Sequence, residues 1–160
     1  MNKAYVLMGG NVGDTKTTFQ RAIELLQAVC GTIVRASSIY QTAPWGKADQ
    51  QNFLNQALLL TTDFSARDLM QSILAIEEKM GRQRLEKYGP RLIDIDILLF
   101  NDAVIEDTLV TIPHPELPYR RFALIPLAEI AAAIIHPVLK KTIEELLSDC
   151  PDQLSVSRLE

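Results

Sequence analysis

Leu92-Ile93-Asp94-Ile95-Asp96-Ile97-Leu98-Leu99-Phe100 sets isoleucine and aspartate in strict alternation from Ile93 to Ile97. Side chains alternate between faces along a strand, so Ile93, Ile95 and Ile97 share one face and Asp94 and Asp96 the other. The pattern predicts a strand over Leu92–Phe100, anchored by its isoleucines. Upstream, Leu69, Ile73, Ile76 and Met80 recur at helical spacing, and Ser65 with Asp68 supplies an N-cap pattern. Phe53–Thr62 and Ile33–Gln41 read as strands. Before them, Phe19, Ala22, Ile23, Leu26 and Val29 mark a helix stopped near Gly31, and Ala4–Gly9 is a short apolar run that reads as a buried strand. The order is β-α-β-β-α-β. It predicts an α+β, ferredoxin-like core: an antiparallel sheet with both helices on one face.

Downstream lies a C-terminal helical extension. Val104-Ile105 suits a short strand, Pro113-His114-Pro115 a rigid loop, and Phe122–Ile134 a helix with Pro126 near its first turn. Thr142 with Glu145 is a capping-box pattern for a last helix. The 160 residues, 48% hydrophobic and 22% charged, are expected to form one domain over 1–160. Cys30 and Cys150 fit no disulfide framework or metal-ligand spacing, which points to a reducing compartment. No apolar run reaches the length of a membrane span. A cytoplasmic protein, a monomer with no membrane partner, is the expectation.

The net charge is −4, which argues against a nucleic-acid partner gripped by the whole surface. That average hides an asymmetry. Lys79, Arg82, Arg84, Lys87 and Arg91 stand against Glu86 alone; this stretch carries +4, so with a chain total of −4 the remainder carries −8. Gly81 to Pro90 has little to bury and reads as an exposed basic loop. Guanidinium forks suit phosphate oxygens, and a loop of this kind can close over a substrate, although such loops are often plain solvated surface. Beside it, Asp94 and Asp96 are like charges roughly 6–7 Å apart along the strand. Either they form a solvated polar face or they share divalent cations, for which magnesium, with its taste for carboxylate and phosphate oxygens, is suited.

Other signals are weaker. Gly9-Gly10-Asn11-Val12-Gly13-Asp14-Thr15-Lys16 has glycines before a lysine but is not a Walker A sequence, and reads as a strand-to-helix turn. Phe53 and Asn55 share a strand face and suit either a flat heterocycle or core packing. His114 is restrained between prolines, with Arg120, Arg121 and Phe122 nearby, whereas His136 reads as structural.

The stretch Gly89-Pro90-Arg91-Leu92-Ile93-Asp94-Ile95-Asp96-Ile97-Leu98 resembles the signature G-P-R-x-x-D-[LIV]-D-[LIVM]-[LIVM] of the 6-hydroxymethyl-7,8-dihydropterin pyrophosphokinases, enzymes of folate synthesis. The resemblance extends through Tyr40-Gln41-Thr42, Phe53-Leu54-Asn55-Gln56-Ala57, Glu77 with Gly81-Arg82 and Arg84, Ile112-Pro113-His114-Pro115, and Phe122 to Leu127. It implies transfer of pyrophosphate from ATP to the pterin hydroxymethyl group, with two Mg2+ ions on Asp94 and Asp96 and with Arg82 and Arg91 on the phosphates. It further implies ATP contacts at Glu77, Arg82, Arg84, Tyr88, Arg91, Ile97, Thr111, His114 and Arg120. The implied pterin pocket is Thr42, Ala43, Pro44, Trp45, Phe53, Asn55 and Phe122. The chain departs from the pattern at Gly10 where serine is usual, at Phe53 for tyrosine, at Tyr88 for tryptophan and at Leu109 for arginine. Two rivals stand beside this reading. A magnesium-dependent nuclease or phosphatase on the same D-x-D needs a water-activating residue, and none stands out. A non-catalytic nucleotide or pterin sensor would be expected to have lost Arg82, Arg91, Asp94 or Asp96, and all four are present.

Overall fold

Strand β1 (Asn2–Gly10) is hydrogen-bonded on both sides and buried on both faces. This explains why its residues read as a continuous apolar run rather than an alternation. The computed structural model describes residues 1–43, 51–81 and 92–159. After β1, Asp14 caps α1 (Thr15–Val29) by accepting the Thr17 N–H, and Phe19, Ala22 and Leu26 form its buried stripe. The helix ends at Cys30. Gly31 then lies so close to β4 (Phe53–Thr62) that a Cβ there would overlap the Thr61 carbonyl oxygen.

One expected strand is two. Ile33–Gln41 divides into β2 (Thr32–Ala36) and β3 (Tyr40–Thr42), both antiparallel to β4. Between them Ser37 takes over the ladder: its N–H donates to the Ala57 carbonyl, its Oγ accepts the Ala57 N–H, and its carbonyl accepts the Gln56 amide. Next, Ser65 caps α2 (Ala66–Lys79), whose Leu69, Ile73 and Ile76 are buried. The core closes with β5 (Asp94–Phe100), which begins two residues later than the sequence suggests.

The sheet order is β5-β1-β4-β3-β8, where β8 is Val156–Arg158, with β2 also on β4 and every pairing antiparallel. Strands β1 to β5, with β2 and β3 standing for one expected strand, and the two helices make the expected ferredoxin-like arrangement. Helices α1 and α2 share one face, over Ala4, Val6, Met8, Leu58, Leu60, Ile93, Ile95 and Ile97. The extension covers the other face. Helices α3 (Arg121–Ala131) and α4 (Ile143–Asp149) pack on Tyr5, Leu7, Ala57, Leu59, Leu98 and Leu99. Helix α3 stops short of the expected Ile134, and Pro126 lies beyond its first turn, buried and with no N–H to donate. The Thr142–Glu145 capping box of α4 is formed in both directions.

Three further details position the site. The β1–β5 register shifts between Tyr5 and Val6, so Leu98 and Leu99 both enter the second core and the alternation of β5 ends at Ile97. A hairpin of β6 (Ile105–Glu106) and β7 (Thr111–Ile112) sits beyond the outer edge of β5. Strand β8 (Val156–Arg158) adds to β3. No described helix is long and apolar enough to cross a membrane.

Candidate active site

Asp94 and Asp96 lie on the α3-side face of β5, partly exposed, while Ile93, Ile95 and Ile97 are buried on the opposite side. Edge strand β5 leaves the Ile95 N–H without a partner strand, and α2 supplies one. Glu77, only 2% exposed, accepts that N–H on Oε2 at 2.6 Å. A carboxylate accepting a backbone N–H makes a strong hydrogen bond. Glu77 therefore holds the residue between the two aspartates.

Register carries this face across the sheet. Asp94 pairs with Gly9, Gly9 with Asn55, and Asn55 with Tyr40. Cross-strand partners face the same side, so Asn55 and Asp94 stand two strand spacings apart, roughly 10 Å, with glycine between them. Asn55 is buried. In the next row Thr42 pairs with half-buried Phe53. Thr42 Oγ1 is fully buried and has no hydrogen-bond partner among the described residues. Helix α3 crosses β4 and β3 on this same face, and Phe122 in its first turn is half-buried against the second core.

The other side of the aspartates is built differently. His114 follows β7; its N–H donates to the Leu98 carbonyl, and its Nδ1 accepts the Glu116 N–H at 3.1 Å. In the neutral ring the proton is then on Nε2. Burial holds its pKa below the ordinary value, the Arg120 charge lowers it further, and the carboxylates of Glu116 and Asp94 oppose the shift. Neutral His114 thus presents an Nε2–H donor near Asp94 and Arg120. The Arg120 guanidinium carbon lies 5.6 Å from the Phe122 ring centroid, a cation–π distance.

Among the sequence-predicted residues, Asp94, Asp96, Asn55, Thr42, Phe53, Phe122, His114 and Arg120 converge on this face or its rim. Glu77 acts from the edge of β5 as a buried bracket. The Ile97 side chain is in the α1/α2 core, so a ligand would meet only its backbone on the edge strand. Thr111 and Ala43 are exposed. Pro44, Trp45, Arg82, Arg84, Tyr88 and Arg91, and with them the basic loop, lie outside the described residues. Sequence reading missed a brace. The Tyr40 hydroxyl donates to Glu129 Oε1 on α3 at 2.6 Å, Glu129 also accepts the Ser38 N–H, and Arg158 of β8 reaches both Glu129 and the Tyr40 ring. Nothing in the local pattern around Arg158 announces it.

Among the described residues no group of three or more acids, histidines or cysteines is poised to cage a metal. Two unlike sets of groups stand near the carboxylate pair: the His114 N–H and the Arg120 charge beyond the edge of β5, and the Asn55 amide with the Phe53 ring across β1, with Phe122 lying against Arg120 between them. Two unlike sets of groups beside one acidic pair suit two different substrates, as a transferase requires. The family model for 7,8-dihydro-6-hydroxymethylpterin-pyrophosphokinase matches residues 5–132. The 2-amino-4-hydroxy-6-hydroxymethyldihydropteridine pyrophosphokinase of Methylorubrum extorquens is 37% identical over 161 residues, covering 100% of both chains. That of Synechocystis is 43% identical over 150 residues, covering 92% of this chain and 76% of its own. A crystal structure of the HPPK-DHPS of Plasmodium falciparum shares the fold at 19% identity and a TM-score of 0.75; it matches 92% of this chain, which spans 43% of that longer one. The chain belongs to the 7,8-dihydro-6-hydroxymethylpterin pyrophosphokinase family.

Proposed function

We propose that this enzyme transfers the terminal pyrophosphate of ATP to 6-hydroxymethyl-7,8-dihydropterin in folate biosynthesis, releasing AMP, with two magnesium ions on Asp94 and Asp96. The observation that carries the reading is the register row Asn55–Gly9–Asp94, which sets a buried amide and a carboxylate on one face with open strand between them. Two partly exposed carboxylates suit an ion that completes its shell with phosphate oxygens and water, as magnesium does. When bound, magnesium supplies neutralisation of phosphate charge and a more acidic acceptor hydroxyl.

The chain's own groups divide the remaining work. Asn55 matches the hydrogen-bonding edge of a pterin, and a ligand polar group would satisfy the buried Thr42 hydroxyl, which otherwise bears the cost of desolvation. Phe53 and Phe122 offer aromatic faces to a flat ring. On the other flank, the His114 Nε2–H and Arg120 suit the nucleotide's anionic groups. The pterin hydroxyl oxygen attacks the β-phosphorus and gives up its proton to solvent, the bond from that phosphorus to the oxygen bridging it to the α-phosphorus breaks, and that oxygen leaves with AMP. Arg91, from the signature, and Arg82, from the wider family resemblance, would stabilise the charge growing on it. Incubation with ATP, magnesium and the hydroxymethyl dihydropterin tests the assignment. AMP in equal amount to pterin diphosphate is expected; ADP or free phosphate would refute it.

A further inference from the structure

Gly9 is the penultimate residue of β1 and is paired on both sides, with Asn55 and with Asp94, a place in a sheet where glycine is a poor choice because it costs backbone entropy and packs nothing. Its backbone does not require glycine: positive φ occurs at Gly13, Gly31 and Gly81, and Gly9 is not among them. Space is what it provides. A Cβ on Gly9 would stand 2.8 Å from Asn55 Oδ1, closer than real Cβ atoms come to a neighbour, so the carboxamide leans over the glycine. On the same face of β1, Tyr5 and Leu7 are buried under the second core. At Gly9 the filled part of the face ends, between Asn55 and Asp94.

From this we infer that Gly9 is a positioning residue for the acceptor. It fixes where the Asn55 carboxamide lies and leaves clear the place over β1 through which the acceptor's hydroxyl-bearing substituent reaches from the amide toward the carboxylates. The inference rests on the proposed pterin reading. A pterin read by Asn55 must carry its reactive oxygen across one strand to meet a phosphate held near Asp94, and Gly9 is the strand residue beneath that crossing. Any larger side chain would push the amide aside and occupy the crossing. The nucleotide flank, built on His114 and Arg120, would be untouched.

The test is Gly9→Ala in the full chain, alone and combined with Asn55→Ala. Calorimetry would measure binding of 6-hydroxymethylpterin with magnesium and a non-hydrolysable ATP analogue present, and of the analogue by itself. Gly9→Ala should weaken pterin binding by at least about tenfold, since a displaced amide leaves polar groups unpaired. Affinity for the analogue should stay within about twofold, and in the Asn55→Ala background the added Gly9→Ala should cost several-fold less pterin binding than in wild type, because the collision with the amide is gone and only the crossing is affected. Unchanged pterin binding in Gly9→Ala, or an equal loss in both backgrounds, overturns the inference. Should Gly9→Ala not fold, recovery of folding in the double variant supports the collision with Asn55, and failure of both overturns it. A wild-type chain that binds no pterin overturns the functional reading itself, whereas wild-type binding with an indifferent Gly9→Ala overturns the inference alone.

Discussion

Replacing Glu77 by alanine strips the outer edge of β5 of its bracket. The carboxylate accepts the Ile95 N–H at 2.6 Å in a place where Ile95 is 1% and Glu77 2% exposed, so water cannot take over. A hydrogen bond to a charged group contributes about 1.5–3 kcal/mol, and a stranded buried N–H costs a similar amount rather than an additional one. A loss of about 2–3 kcal/mol is expected in urea unfolding, which for a chain of this size lowers the melting temperature by about 4–12 °C. Glu77→Gln keeps an acceptor in place and should lose only about 1 kcal/mol. Function should follow the same order. Ile95 lies between Asp94 and Asp96, so a loosened strand should raise the magnesium concentration needed for half-maximal turnover while pterin affinity holds. An alanine variant within about 0.5 kcal/mol of wild type, or a glutamine variant as damaged as alanine, would refute the bracket.

Three other outcomes can be checked. Asp94→Ala or Asp96→Ala should lower AMP release by several orders of magnitude while leaving pterin binding mostly intact; near-normal turnover would remove the metal assignment. Arg120→Ala should raise the pKa of His114, because the Arg120 charge helps hold it down, and NMR titration of the ring would show no movement if the two do not interact. His136 is buried, its Nδ1 accepts the N–H groups of Val138 and Leu139, and burial lowers its pKa. A histidine whose folded pKa is depressed contributes stability that is full above its unfolded pKa, about 6.5, and is lost as pH falls from there toward the folded value. Urea midpoints should therefore decline below that pH more steeply in wild type than in His136→Gln.

The order of the core elements was legible because each carries a periodic signal: Ile93 to Ile97 at period two, Leu69, Ile73 and Ile76 at helical spacing. The carboxylate pair was legible for the same reason, since alternation alone puts Asp94 and Asp96 on one face. What escaped sequence reading depends on contacts between distant segments. Ser37 interrupts the β2–β3 strand through bonds to Gln56 and Ala57, and no local pattern encodes that. Leu98 reads as one more apolar strand residue, and only the pairing with β1 makes it a bulge. Glu77 enters the sequence reading only as an implied ATP contact, and nothing in the helix pattern shows that it braces β5. Gly9 looks like part of a turn until its neighbours prove to be Asn55 and Asp94.

That last juxtaposition bears on how the protein folds. Strand β1 is flanked by β4 and β5, so both partners of Gly9 come from far along the chain. Joining Gly9 to Asp94 closes a loop of roughly 85 residues, and pairings of such long sequence separation slow folding much more than they weaken the folded state. Neither the amide side nor the carboxylate side can be in place without β1, which is the template for both. The two flanks should consequently appear in one cooperative event, with no folding intermediate that holds a half-built site able to bind one substrate alone.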